Sequence, residues 1–178
     1  MDLGLISARY ARALLKYGNA NNVADVTYKD MLTLAKSYLD VPQLKFTLNN
    51  PMLSREEKEK IIVTAVGGNP SKATQQFIRL VLTEGREDML QFMANSYVTL
   101  YRKQQNITNG KLITATPVSQ STETKMKQMV ESRTNGTVEF ETVIDPDIIG
   151  GFILEYDTYR LDSSVANQLR QVIIQLNK

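Results

Sequence analysis

The hydrophobic pattern changes its period once along the chain, near Gln105, and no other feature constrains the fold as much. Before that point apolar residues recur at the three-to-four spacing of amphipathic helices. After it, alternating runs rich in β-branched residues take over, broken by one helical stretch and closed by another. The pattern predicts a mainly α chain, with an N-terminal six-helix bundle over 1–105 and a small α/β domain over 106–178. A length of 178 residues is enough for both. Charge divides at the same place: residues 1–105 hold 14 Lys and Arg against 10 Asp and Glu, whereas 106–178 hold 7 against 9. No Pro- or Gly-rich linker lies between the halves, so a continued helix is the expected joint.

Local punctuation supports this division. Asn22-Val23-Ala24-Asp25 has the form of a capping box with Asp in place of Glu, opening a second helix. Pro42 interrupts the chain before a short helix over 44–48. Ser54-Arg55-Glu56-Glu57 is a full capping box, and Gly67-Gly68 ends the helix it opens. Asn69-Pro70-Ser71 starts a helix carrying Ala73, Phe77, Leu80 and Val81, and the next carries Met89, Met93, Tyr97 and Tyr101. Asn109-Gly110 reads as a turn or helix end, followed by a strand over 112–118. A helix from Ser121 presents Met126, Met129 and Val130 and ends at Asn135-Gly136. Strands over 137–144, 151–156 and 159–161 follow. Asp162-Ser163-Ser164 then caps a last helix with Val165, Leu169, Val172, Ile173 and Leu176 on one stripe.

The chain has no His, no Cys and no Trp. Imidazole-dependent triads, thiolate nucleophiles and zinc-finger spacings are therefore excluded. No phosphate-cradling glycine motif is present. Asp145 with Asp147, and Asp157 with Asp162, supply too few oxygens for a hard cation and read as surface turns. Neither a metal nor a cofactor is expected. Lys58 and Lys60, among Glu56, Glu57 and Glu59, read as a solvated salt-bridging helix face. With a net charge of only +2, nucleic-acid binding is not expected. No run is long and apolar enough to span a membrane, and Met1-Asp2-Leu3-Gly4 does not open like a leader, so the expectation is a chain that stays where it is made.

The first helix carries an apolar arc about twice the usual ~100° width. Leu3, Ile6, Tyr10, Ala13, Leu14 and Tyr17 fall on one side, and Ala8, Ala11, Leu15 and Gly18 on the next. Two readings stand open: a central bundle helix touched by several neighbours, or a helix with one face on the core and the other taking a partner helix.

Several segments carry a family resemblance. Ala8-Arg9-Tyr10-Ala11-Arg12-Ala13-Leu14-Leu15 resembles the opening helix of the delta subunit of bacterial rotary ATP synthases, whose mitochondrial counterpart is the oligomycin-sensitivity-conferring protein. Ile78-Arg79-Leu80 with Glu84-Gly85-Arg86 resembles that family's fifth helix and turn, although Glu84 and Glu87 stand where Asn and Leu are frequent. The most specific block is Ile144-Asp145-Pro146-Asp147-Ile148-Ile149-Gly150-Gly151-Phe152, followed by Asp162-Ser163-Ser164-Val165. Tyr156 precedes Asp157 where the family commonly has Gly. The resemblance runs through essentially the whole chain.

It implies a non-catalytic stator component that links the catalytic head to the membrane sector and resists rotor torque during proton-driven ATP synthesis. It implies that N-terminal helices of the alpha subunits dock in a groove formed by Ile6, Tyr10, Ala13 and Leu14 with Leu80, Val81 and Glu84. It implies structural roles for Gly150, Gly151 and Asp162, and engagement of the C-terminal ends of the b-subunit stalk by the second domain. The expected location is the cytoplasmic face of a bacterial membrane, held there through the complex. A helical adaptor that binds amphipathic peptide helices in another complex is the alternative, and an enzyme using carboxylates or lysine is a third reading.

Overall fold

A computed structural model describes residues 3–134, 136–156 and 158–176. The chain divides into two compact units, Met1–Lys103 and Gln104–Lys178. It is mainly helical, with a small four-stranded mixed sheet at the C-terminus.

The first unit contains α1 (Leu3–Ala20), α2 (Ala24–Asp40), α3 (Gln43–Leu48), α4 (Arg55–Ala65), α5 (Lys72–Thr83) and most of α6 (Leu90–Gln105), with a 3-10 turn at Glu87–Met89. Met31, Leu34, Leu48, Ile62, Ile78 and Tyr97 are fully buried, so α2 to α6 all contribute to one core. Tyr97 buries its ring and places its hydroxyl 3.2 Å from the Ala24 carbonyl, which accepts its proton. Such a partner is what a buried phenol requires.

The helix boundaries follow their caps. Ser54 accepts from the Glu57 N–H, and the Glu57 carboxylate accepts from the Ser54 N–H, forming a reciprocal box. Gly67 and Gly68 take positive φ of 105° and 84° and end α4, a conformation open to glycine at little steric cost. Ser71 caps α5.

Asn22 does not act as a cap. It adopts φ 55°, and α2 starts after Val23 with no side-chain cap. Asp25 is engaged elsewhere, its carboxylate accepting the Tyr101 hydroxyl proton at 2.5 Å. Lys58 also departs from expectation. It is buried, with Nζ 2.6 Å from Glu87 Oε1, so one member of the charge run turns inward while Glu56, Glu57 and Lys60 stay exposed and Glu59 is half-buried.

In the second unit, β1 (Ile107–Thr114), β2 (Thr137–Ile144), β3 (Phe152–Tyr156) and β4 (Tyr159–Asp162) form a sheet of order β2-β1-β3-β4. β1 and β2 are parallel and are connected through α7 (Gln120–Thr134), as a parallel pair requires. β3 is antiparallel to both β1 and β4. Val130 of α7 packs with Leu112, Val138 and Leu154 of the sheet, with Met126 and Phe140 beside them. Asn109-Gly110 lies within β1 rather than at a turn. A Cβ on Gly110 would sit 2.5 Å from Cε1 of Phe140, so the glycine marks a close approach between paired strands. Asn135 and Asp157, expected at turns, lie outside the described residues.

α8 (Val165–Leu176) begins at the Asp162-Ser163-Ser164 cap: Asp162 Oδ1 accepts from the Ser164 N–H at 3.0 Å, and Ser164 Oγ accepts from the Asn167 N–H at 3.2 Å. Its apolar stripe is not buried, and Leu169, Val172 and Ile173 stay at least half exposed. Among the described residues, no helix is long and apolar enough to cross a membrane.

Candidate functional site

α1 and α5 lie side by side and leave an apolar cavity of about 210 Å³ between them. Tyr10, Ala13, Leu14 and Tyr17 form one wall, and Ala73, Gln76, Phe77 and Leu80 the other. Both walls repeat the i, i+3, i+4, i+7 spacing that aligns four residues along one helical strip. Leu14, Ala73 and Phe77 are buried and make the floor, whereas Ala13, Tyr17 and Leu80 are exposed along the edges. Tyr10 stands edge-on to Phe77, with ring centroids 6.4 Å apart and planes at 70°. This is a favoured aromatic geometry, which holds the ring in place. The Tyr17 hydroxyl lies 3.3 Å from Gln76 Oε1 and donates to it across the groove. The Arg86 guanidinium, just beyond α5, sits 5.6 Å from the centre of the Tyr10 ring.

The dimensions limit what this site can hold. Small-molecule pockets usually measure ~300–1,000 Å³ and enclose most of their ligand. A smaller, open, apolar trough bounded by two helices suits a few side chains from a third helix laid across it.

Of the expected groove residues, Tyr10, Ala13, Leu14 and Leu80 line the cavity. Ile6 and Val81 do not: Ile6 is buried, and Val81 is 0% exposed against 49% for its neighbour Leu80. One residue along a helix is a turn of ~100°, so Val81 joins the bundle core while Leu80 faces outward. Glu84 is exposed at the C-cap of α5, beyond the cavity. Tyr17, Ala73, Gln76 and Phe77 complete the lining. The matched spacing of 10, 13, 14, 17 and 73, 76, 77, 80 is the sequence signal that identifies them.

The remaining singled-out residues have structural roles. Gly151 has φ +74°, and a Cβ there would run into the Ser163 carbonyl oxygen. A Cβ on Gly150 would approach Cγ2 of Val165 at 3.2 Å, and the Gly150 carbonyl accepts the Val165 N–H at 3.0 Å. The pair therefore seats the start of α8 against the start of β3. The Ser164 hydroxyl, and then its backbone N–H, hold the Asp162 carboxyl below its ordinary range. Asp145 accepts from the Asp147 N–H at 3.0 Å, an intrachain turn contact. Next to this corner Ile149 adopts φ 67° with ψ −43°, while Gly150 N–H reaches the Ile148 carbonyl at 2.8 Å. That is a strained γ-turn, unusual for a β-branched residue, and it leaves the Ile149 side chain exposed.

Comparison with known proteins places this geometry in context. Residues 6–176 match the family model described as ATP synthase delta (OSCP) subunit. A protein of Phocaeicola vulgatus named ATP synthase subunit delta is 47% identical over 173 residues, covering 97% of this chain and 94% of that protein. One of the same name from Bacteroides fragilis is 44% identical over 174 residues, with 97% and 94% covered. Among solved structures, a chain of the Toxoplasma gondii mitochondrial ATP synthase hexamer shares the fold at a TM-score of 0.65 and 20% identity, with 97% of each chain covered.

Proposed function

The chain belongs to the ATP synthase delta (OSCP) subunit family, and we propose that its α1–α5 groove receives an amphipathic N-terminal helix of an alpha subunit. The family's members are non-catalytic stator components, so this chain's work is attachment. It links the catalytic head to the membrane sector and resists the torque of the rotor. Apolar walls with an exposed Ala13 and Leu80 on the rims are the observation that carries the groove reading. Burying a Leu-sized side chain contributes ~1.5–3 kcal/mol, so three anchors in the trough offset the cost of ordering a helix.

The second unit engages the C-terminal ends of the b subunits. Its α8 stripe supports this reading. Val165, Leu169, Val172 and Leu176 follow 4-3-4 spacing, the seam of a helix that packs against another helix. The subunit then sits at the cytoplasmic face of a bacterial membrane through its partners. A helical adaptor of an unrelated complex shares the groove but is not favoured, since the family match extends through the second unit to residue 176.

Titration of the whole chain with a peptide from the N-terminus of the cognate alpha subunit tests the groove. Saturable binding that Leu80→Asp weakens at least tenfold is the expected result. Unchanged affinity in that variant would move the docking site off α1 and α5.

A further inference from the structure

We infer that the α1–α5 groove selects its helix by charge, taking one whose apolar stripe is flanked by carboxylates. The inference rests on reading the groove as a helix-docking site and adds the chemistry of what docks. Arg9 and Lys16 stand four residues before and three residues after Ala13, on the rim of the α1 wall. Lys72 and Arg79 hold the same offsets from Gln76 on the α5 wall. All four are exposed. Neither α1 nor α5 contains an Asp or a Glu. Arg86 over the Tyr10 ring adds a further cation at one end. The nearby carboxylates are each engaged or lie at one end: Glu59 pairs with Arg79 at 2.7 Å, Asp30 accepts from the Ser71 N–H and the Thr74 hydroxyl at the start of α5, and Glu84, Glu87 and Asp88 flank Arg86 past its C-terminus.

An apolar trough between two basic rims presents a positive field along its length. A helix laid in it places its own flanking positions beside those rims. Carboxylates there gain from both rims at once, whereas Lys or Arg there meet like charge. Rim charges set partner choice and association rate more than total affinity, and salt screens them. The chain as a whole carries only +2, so the selectivity comes from where the charges lie.

Three synthetic helical peptides test this, sharing one apolar face and carrying Glu, Gln or Lys at the flanking positions. Each is titrated against the whole chain by fluorescence anisotropy at low and high salt. With three or four exposed pairs formed, the Glu peptide should bind about tenfold tighter than the Gln peptide at low salt. The Lys peptide should bind more weakly than both. The differences should shrink at high salt. The triple variant Arg9→Gln, Lys16→Gln, Lys72→Gln should lose most of the preference while still binding the Gln peptide. Equal affinity for the three peptides would overturn the charge selection and leave the groove in place. No binding by any peptide would overturn the groove reading together with the inference built on it.

Discussion

Lys58 Nζ lies 2.6 Å from Glu87 Oε1, a part-buried ion pair that ties α4 to the 3-10 turn ahead of α6. The other carboxylate oxygen of Glu87 is buried with no hydrogen-bond partner among the described residues. A single hydrogen bond therefore joins the two side chains. Burial alone would raise the Glu87 carboxyl, but the Lys58 hydrogen bond, its own backbone N–H and the Lys58 and Arg55 charges together outweigh it and hold the group below its ordinary 4.5.

Removing one member should cost more than an exposed pair would. Lys58→Met leaves a part-buried carboxylate without its cation and should destabilise the chain by about 1–2 kcal/mol, read by urea unfolding. The pH dependence follows from the lowered value. The contribution of Glu87 is fully present above the unfolded carboxyl's pKa and is lost as pH falls through the depressed folded one. Glu87→Gln should flatten stability against pH in that acid window. An unchanged slope would show that the pair is not the linked group.

Leu80 and Val81 are neighbours with opposite exposure. Val81→Ala should lower stability by about 1–3 kcal/mol through the cavity it opens in the core. Leu80→Asp should cost no more than about 1 kcal/mol, from the lower helix propensity of Asp and its charge near the C-terminus of α5. It should also abolish most of the peptide affinity, so thermal melting and titration on the two variants separate the roles.

The glycine corner before α8 should be less tolerant than the glycines that end α4. Gly151→Ala meets the Ser163 carbonyl as well as an unfavourable φ, whereas Gly67 has open space around its Cβ position. Gly67→Ala should cost about 1 kcal/mol, and Gly151→Ala at least about 2 kcal/mol. Hydrogen exchange resolved by segment should show the second loss confined to residues 137–176.

Alkaline titration gives a further check. Burial, assisted by the Asp25 and Asp30 charges, pushes the Tyr97 hydroxyl up to about 12. Tyr101 is raised by burial and by its hydrogen bond to Asp25. A folded value above the unfolded one means stability is intact below pH ~10 and falls as pH rises through the folded value. Ultraviolet difference absorbance should show these phenols ionising together with unfolding. Ionisation near pH 10 in a folded chain would contradict their burial.

Much of this architecture was legible in the residues. The period change near Gln105, the Ser54 box and the Gly67-Gly68 stop are local signals, and local chemistry decides helix ends. The family resemblance singled out Tyr10, Ala13, Leu14 and Leu80, and these four line the α1–α5 cavity. Val81 was not separable from Leu80 by type, since both are aliphatic and only the helix phase against the core distinguishes them. Lys58 was illegible for a related reason: its partner, Glu87, lies 29 residues away, and nothing in a run of alternating charges tells which one turns inward. Gly110 carried a turn signal because glycine is common in turns. Its real constraint is the Phe140 ring on the paired strand, which no single segment reveals.

The uncovered stripe of α8 has a consequence for the life of the chain before assembly. A newly made copy displays a row of aliphatic side chains, Leu169, Val172, Ile173 and Leu176, that its own second unit leaves unshielded. Produced in excess of its partners, it offers that row to chaperones, to proteases and to other copies of itself. If a partner subunit covers that row in the assembled complex, the abundance of the chain in the cell would follow the supply of that partner, and free copies would be the first to be cleared.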